Sequence, residues 1–258
     1  MSKFWLFRTA GPLDRKFKRS AAIRYGDYGG YLQIEVKGET FLWPKGSPRD
    51  GVLRILSEIM TPAHPHRYIY GHTKINRNDI VLDIGACEGA FSAVVTSHCR
   101  RVIAIEPSRT MCALIPALFQ VRREPCPAIL NCLLGSESGR AYFLENVTNP
   151  GESRIVREAA PGAYGLPVRT LDEVAESLEQ KPTFIKCDAE GAEPAIFSGG
   201  KEFLRKFRPK LAITTYHNDG DYAAMHRLLT LLGYNVAGKG FLFSPAQGTL
   251  RVQMIHAW

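Results

Sequence analysis

The stretch that most constrains the fold is Val81-Leu82-Asp83-Ile84-Gly85-Ala86-Cys87-Glu88-Gly89-Ala90-Phe91. A short apolar strand ends in an acid, bends on two glycines and enters a helix. Glycine lets a backbone turn sharply and come close to a ligand. The alternation continues downstream. Apolar runs predict strands at 101–105, 128–134, 183–187 and 211–216, with two more in the tail at 234–237 and 250–256. Helical spacing falls between them, at 91–95, 111–119, 171–178, 196–203 and 223–232. Strands alternating with helices imply an α/β fold, a mostly parallel sheet covered on both faces. Ligands then sit beyond the C-terminal ends of the strands.

Upstream the pattern differs. Residues 20–44 read as a β-hairpin turning at Lys37-Gly38. Residues 51–60 place Val52, Leu53, Leu56, Ile59 and Met60 at helical spacing, and Thr61-Pro62 and His64-Pro65 end that pattern. The chain thus divides into an N-terminal extension, residues 1–70, and a main domain, residues 71–258. His64, His66 and His72, set in a Pro-flanked segment, read as solvated loop groups, with the lining of an acceptor pocket as the alternative. Residues 146–165 are polar and rich in Gly and Pro; they read as a long loop placed to cover an acceptor.

Charge narrows the partners. The net charge is +8, and seven basic residues of the first 24 face only Asp14. The body is therefore not a basic nucleic-acid-binding surface. The arm reads as a solvated terminus, or as a grip for an anionic partner such as RNA, a lipid surface or a phosphorylated carrier. No run of about 18 apolar residues exists to span a membrane. The apolar patch at residues 4–7 is too short for a signal-peptide core. Cys87, Cys99, Cys112, Cys126, Cys132 and Cys187 form no C-x-x-C pair. They read as reduced, small, buried side chains of a cytoplasmic protein.

The glycine bend reads G-x-x-x-G and lacks the middle glycine with which a dinucleotide fold admits a pyrophosphate. Asp83 stands two residues before Gly85, where it disfavours an anion. Glu106 ends the next strand, where a carboxylate accepts both hydroxyls of a ribose. Two acids flanking a phosphate-free bend fit S-adenosylmethionine, which carries a sulfonium and an ammonium group.

The sequence resembles the class I S-adenosylmethionine-dependent methyltransferases, and among them the FkbM family. Residues 79–86 with Gly89 and Glu106-Pro107 carry the resemblance, as do Val168-Arg169-Thr170-Leu171-Asp172 and the run from Phe184 through Lys186, Asp188, Glu190 and Gly191 to Glu193. Residues 208–217 complete it. K-x-D-x-E-G-x-E is the most specific pattern. The resemblance spans about residues 78–236. It implies a Rossmann-like seven-stranded sheet with an antiparallel last strand, and O-methylation of a sugar, polyketide or other small hydroxylated compound. It also implies a cofactor site of Asp83, Gly85, Ala86, Cys87, Gly89, Glu106, Pro107, Asn131 and Asp188.

Methyl transfer is an in-line displacement on the sulfonium carbon, and an aliphatic hydroxyl must shed its proton as the bond forms. His217, after the fifth strand, is the preferred base. Asp188 and Glu190 stand beside it, while Glu193 reads as a helix-dipole acid. Asp188, Glu190, His217 and Asn218 also offer an oxygen-rich set with one imidazole, which suits Mg²⁺ or Mn²⁺. Nothing in the spacing demands an ion, and no metal is assigned. Two other readings stand beside the small-molecule one: an RNA-modifying enzyme using the basic arm, and a non-catalytic cofactor-binding scaffold.

Overall fold

Long apolar runs with β-branched residues, broken by glycine bends, build one large sheet. The computed structural model describes residues 10–147, 153–156, 158–244 and 248–258. Helix α1 (Ala10–Ser20) leads into an antiparallel meander, β1 (Ile23–Tyr28), β2 (Tyr31–Val36) and β3 (Glu39–Pro44), and then α2 (Arg49–Met60). The alternating part begins with β4 (Ile80–Ile84), α3 (Ala90–Val95), β5 (Arg101–Ile105), α4 (Arg109–Arg122) and β6 (Ala128–Leu130). A small second sheet follows, formed by β7 (Leu133–Leu134), β8 (Gly139–Leu144), β9 (Arg154–Val156) and β10 (Ala163–Arg169). The chain returns through α5 (Leu171–Ser177), β11 (Phe184–Cys187), α6 (Glu193–Ser198), α7 (Lys201–Phe207), β12 (Lys210–Thr214) and α8 (Asp221–Leu231) to the hairpin β13 (Val236–Ser244) and β14 (Thr249–Ala257).

The seven-stranded sheet runs β13-β14-β12-β11-β4-β5-β6. Strands β12, β11, β4, β5 and β6 pair in parallel, and β14 is antiparallel to both its neighbours. All five residues of β4 are buried, as covering a parallel sheet on both faces requires. Alternate side chains serve opposite faces. Val81 joins a core with Phe91 and Leu118, whereas Leu82 joins Ile103, Ile185 and Leu211. The first of these cores also takes Phe17, Phe41, Leu56 and Tyr68, so one core contains residues from both sides of residue 70. Thr170 caps α5 reciprocally with Glu173, which explains the local sense of the V-R-T-L-D run.

Several local expectations change. The hairpin is a three-stranded meander. The strand expected over 128–134 splits, because Leu133-Leu134 turns into the second sheet beside β10. Part of the expected loop at 146–165 is strand: β9 and the start of β10 pair with β8. Residues 148–152 and 157 lie outside the described residues. The helix expected over 196–203 is two helices that meet at Gly199-Gly200. A Cβ on Gly199 would sit 2.3 Å from the Gly135 carbonyl oxygen, so this close packing demands glycine. His64 and His66 are buried at 1% and 3% exposure, not solvated. Of the basic arm, residues 1–9 lie outside the described residues, and α1 is an ordered helix with Phe17 buried. All six cysteines are free; Cys132 and Cys187 are buried, but Cys126 is exposed. Among the described residues no helix is long and apolar enough to cross a membrane.

Candidate active site

Gly85 follows β4 with φ +69°, and its amide donates to the Ile105 carbonyl at 3.0 Å. A Cβ there would lie 1.9 Å from the Asp188 carbonyl oxygen. Only glycine lets the β4 bend touch the end of β11 so closely. Cys87 also takes a left-handed conformation, φ 50°, and its amide donates to Glu106 Oε2 at 2.7 Å. Ser108 N donates to the other oxygen, Oε1, at 2.8 Å. Each Glu106 oxygen thus holds one backbone N–H and keeps a lone pair free. Burial lifts this carboxyl to about 7, although the two amides and Lys186 pull it down.

Asp83 is placed differently from expectation. It is fully buried, accepts from Ser92 Oγ at 2.7 Å, and lies 3.0 Å from Lys186 Nζ. The parallel register sets Lys186 directly beside it. Lys186 also donates to the Gly85 and Ile84 carbonyls, at 2.5 and 3.2 Å. Asp83 is therefore neutralised inside the sheet and fixes the bend through a lysine. The carboxyls left at the strand ends to meet a ligand are those of Glu106, Asp188 and Glu190.

Asp188 gathers the second group. Tyr68 donates to its Oδ2 at 2.6 Å, and the Thr214 hydroxyl lies 3.1 Å from its Oδ1. His217 Nε2 stands 3.5 Å from Asp188 Oδ1 and 3.3 Å from Glu190 Oε2, and Nδ1 faces the buried Glu193 Oε1 at 3.1 Å. Burial raises the Asp188 carboxyl, but Lys186, His66, His217 and Tyr68 outweigh it and hold it below the usual carboxylate range. Burial, together with the Asp188 charge, brings Glu190 up to about 7. For His217 burial opposes the proton, yet Glu193, Asp188 and Glu190 lift it to about 9. The ring is thus an imidazolium at neutral pH and, left as it stands, is not a free base. Glu190 itself sits in the left-handed region at φ 51°, a strained backbone of the kind found at functional sites.

A cavity of about 380 Å³ reaches from Glu106 to Asp188 and Glu190. Gly85, Cys87, Glu106, Pro107, Asp188 and Glu190 line it, with apolar walls from Ile105, Leu134 and Phe143. Asp83, Ala86, Gly89, Asn131 and His217 do not line it. Gly89 packs towards Ile115, and the Asn131 amide donates to the Glu106 and Pro107 carbonyls at 2.9 Å, bracing the loop from behind. Sequence reasoning missed Lys186 as the partner of Asp83. It also missed Tyr68, which is not part of any motif, and Arg154 and Ile155, which reach the cavity from β9. His66, read from the sequence as a solvated loop group, has its Nδ1 3.0 Å from Glu58 and its Nε2 4.0 Å from Asp188. Acids on both sides of the bend, apolar walls and lone pairs left on Glu106 fit an adenosyl sulfonium.

A family model described as the methyltransferase FkbM domain matches residues 83–236. Among solved structures, a methyltransferase FkbM from Methylobacillus flagellatus KT superposes with a TM-score of 0.53 at 19% identity. The match covers 83% of this chain and 56% of that one, so the chain spans little more than half of that protein's length. A precorrin-6y C5,15-methyltransferase from Geobacter metallireducens GS-15 gives 0.43 at 16% identity, covering 72% of this chain and 82% of the other. The first likeness is one of fold. No curated protein matches. The glycine bend, the acids around it and the matched 83–236 stretch together place this chain in the FkbM family of S-adenosylmethionine-dependent methyltransferases.

Proposed function

We propose that this chain moves a methyl group from S-adenosylmethionine to a hydroxyl of a small molecule, a sugar, polyketide or similar natural product. One observation carries the reading: a single cavity has Glu106 on one side of the β4 bend and Asp188 with Glu190 on the other. Glu106 would hold the ribose hydroxyls and Asp188 the methionine ammonium, with Gly85, Cys87 and Pro107 shaping the walls. When bound, the cofactor supplies the activated methyl. The chain's task is to bring the acceptor oxygen in line with it and to draw off the hydroxyl proton. We assign that task to the corner of Asp188, Glu190 and His217. Tyr68 holds the Asp188 carboxylate in place there.

Calorimetry with S-adenosylmethionine and its demethylated product tests the cofactor. Transfer of a labelled methyl group to a panel of hydroxylated small molecules, run beside RNA, tests the acceptor. Binding of the cofactor with transfer to a hydroxylated compound is expected. No binding, or transfer to RNA alone, would refute the reading.

A further inference from the structure

Helix α1 is tied to the body on one side and bare on the other. Phe17 is buried in the core that also holds Phe41 and Leu56. Asp14 turns to His64 Nε2 at 3.3 Å, and Lys18 donates to Asp50 at 2.7 Å. These contacts fix the rotation of the helix about its axis. Pro12, Arg15, Lys16 and Arg19 stand at i, i+3, i+4 and i+7, so they form one stripe on the side away from Phe17. Arg15, Lys16 and Arg19 are exposed, and none of them closes an ion pair or hydrogen bond with a described residue. With Pro12 and Ser20 they line an open groove. Asp14 is the sole acid of the first 24 residues, and it is turned inward, so the outer side of α1 is wholly positive. A second feature lies directly upstream in the sequence. Residues 3–8 read Lys-Phe-Trp-Leu-Phe-Arg, four apolar side chains between two cations. Trp and its apolar neighbours favour the boundary between lipid headgroups and acyl chains. An apolar anchor and a polybasic patch are each weak at a membrane, and together they hold. A nucleic acid would use only the cations. Leu6 has no ring to stack on a base, and residues 4–7 offer no polar side chain to a base edge apart from the Trp5 indole.

We propose that α1 and the residues before it dock this chain on an anionic lipid surface. Arg15, Lys16 and Arg19, with Lys3 and Arg8, meet the headgroup phosphates. Phe4, Trp5, Leu6 and Phe7 enter the boundary beneath them. The stripe runs about 10 Å along the helix, so its three cations reach a flat surface together. Their attraction to anionic lipid fades within a Debye length and is therefore sensitive to salt. No residue of α1 lines the cavity of Glu106 and Asp188, so docking stands apart from methyl transfer.

Co-sedimentation of the full chain with vesicles tests the docking. One set is phosphatidylcholine alone, and the other is phosphatidylcholine mixed with phosphatidylglycerol. Uptake by the mixed vesicles only, weakening as salt rises, is expected. Arg15→Gln, Lys16→Gln and Arg19→Gln together should weaken uptake about a hundredfold, because each cation near an anionic surface is worth about fivefold. Phe4→Ser with Trp5→Ser should weaken it about tenfold or more. The three stripe cations have no partner among the described residues, so thermal melts of the triple variant should match the wild type. Lost uptake with an unchanged melt is then a surface effect and not unfolding. A wild type left in solution by the anionic vesicles would overturn the docking, as would uptake unchanged in either variant. Retention of single-stranded RNA with no uptake by the vesicles would overturn it too and assign the stripe to nucleic acid.

Discussion

Asp83→Asn separates a strand-end acid that touches the cofactor from one that holds the sheet together. Asp83 is fully buried 3.0 Å from Lys186 Nζ, and Lys186 is itself 4% exposed. Removing the carboxylate charge leaves a buried ammonium with only carbonyl partners. Breaking a buried pair on one side costs about 3–5 kcal/mol. In a domain of this size each kcal/mol lowers Tm by about 2–4 °C, so the expected drop is about 6–20 °C. Asp83→Asn combined with Lys186→Met removes both charges and should recover part of that loss, since no unpaired charge is then left buried. Differential scanning fluorimetry of the two single variants and the double gives the coupling directly. Cofactor calorimetry on the same samples completes the test. An unchanged Tm with lost cofactor binding in Asp83→Asn would refute the buried-pair account and return Asp83 to the cofactor.

Three further outcomes follow from the same geometry. Glu106 titrates at about 7 when the cofactor is absent, and ribose hydroxyls favour its ionised form. Binding therefore releases a proton, so the Kd for S-adenosylmethionine should rise towards tenfold per unit as pH falls below about 7 and level off above it. Glu106→Gln should flatten that profile in calorimetry, and an unaltered profile counts against the contact. Gly85→Ala should cost clearly more stability than Gly46→Ala in thermal melts. Both have positive φ, but only the Gly85 Cβ meets a backbone atom, at 1.9 Å, whereas nothing lies within 4 Å at Gly46. Equal losses would mean that the β4 bend does not need close contact with Asp188. Tyr68→Phe removes a hydrogen bond to a charged group, worth about 1.5–3 kcal/mol. Turnover should fall about tenfold or more, and an unaltered kcat would remove Tyr68 from the site.

What could be read ahead of the structure follows from locality. The β4 bend was legible because strand, glycines and helix lie within eleven consecutive residues, each obeying a local rule of spacing or φ. The capping pair Thr170–Glu173 lies within the quoted V-R-T-L-D motif and its next residue for the same reason. The second sheet was not legible. Ser153 to Val156 carries too few apolar residues for a strand signal, and β9 forms because β8 offers an edge to pair with. Asp83 was misjudged for a related reason. Its position was right, but its partner lies 103 residues downstream and meets it only through the β4–β11 register.

The same reasoning explains why Tyr68 went unnoticed and His66 was read as solvated. Prolines interrupt periodicity from residue 61 to 65, and a segment without periodicity reads as solvated. Burial there comes from long-range packing: Tyr68 stacks edge-on against Phe91 at 5.2 Å, and His66 meets Tyr216 at 5.4 Å. Gly240, on β13, sits against Pro65, where a Cβ would lie 2.8 Å from the Pro65 carbonyl oxygen. Segments from opposite ends of the sequence, outside the 83–236 stretch, therefore pack on each other at Pro65 and Gly240, and Tyr68 reaches from the first of them to Asp188. Position in the chain is thus a poor guide to distance from the chemistry, and a truncation at residue 70 would remove Tyr68 from the carboxylate it holds at 2.6 Å.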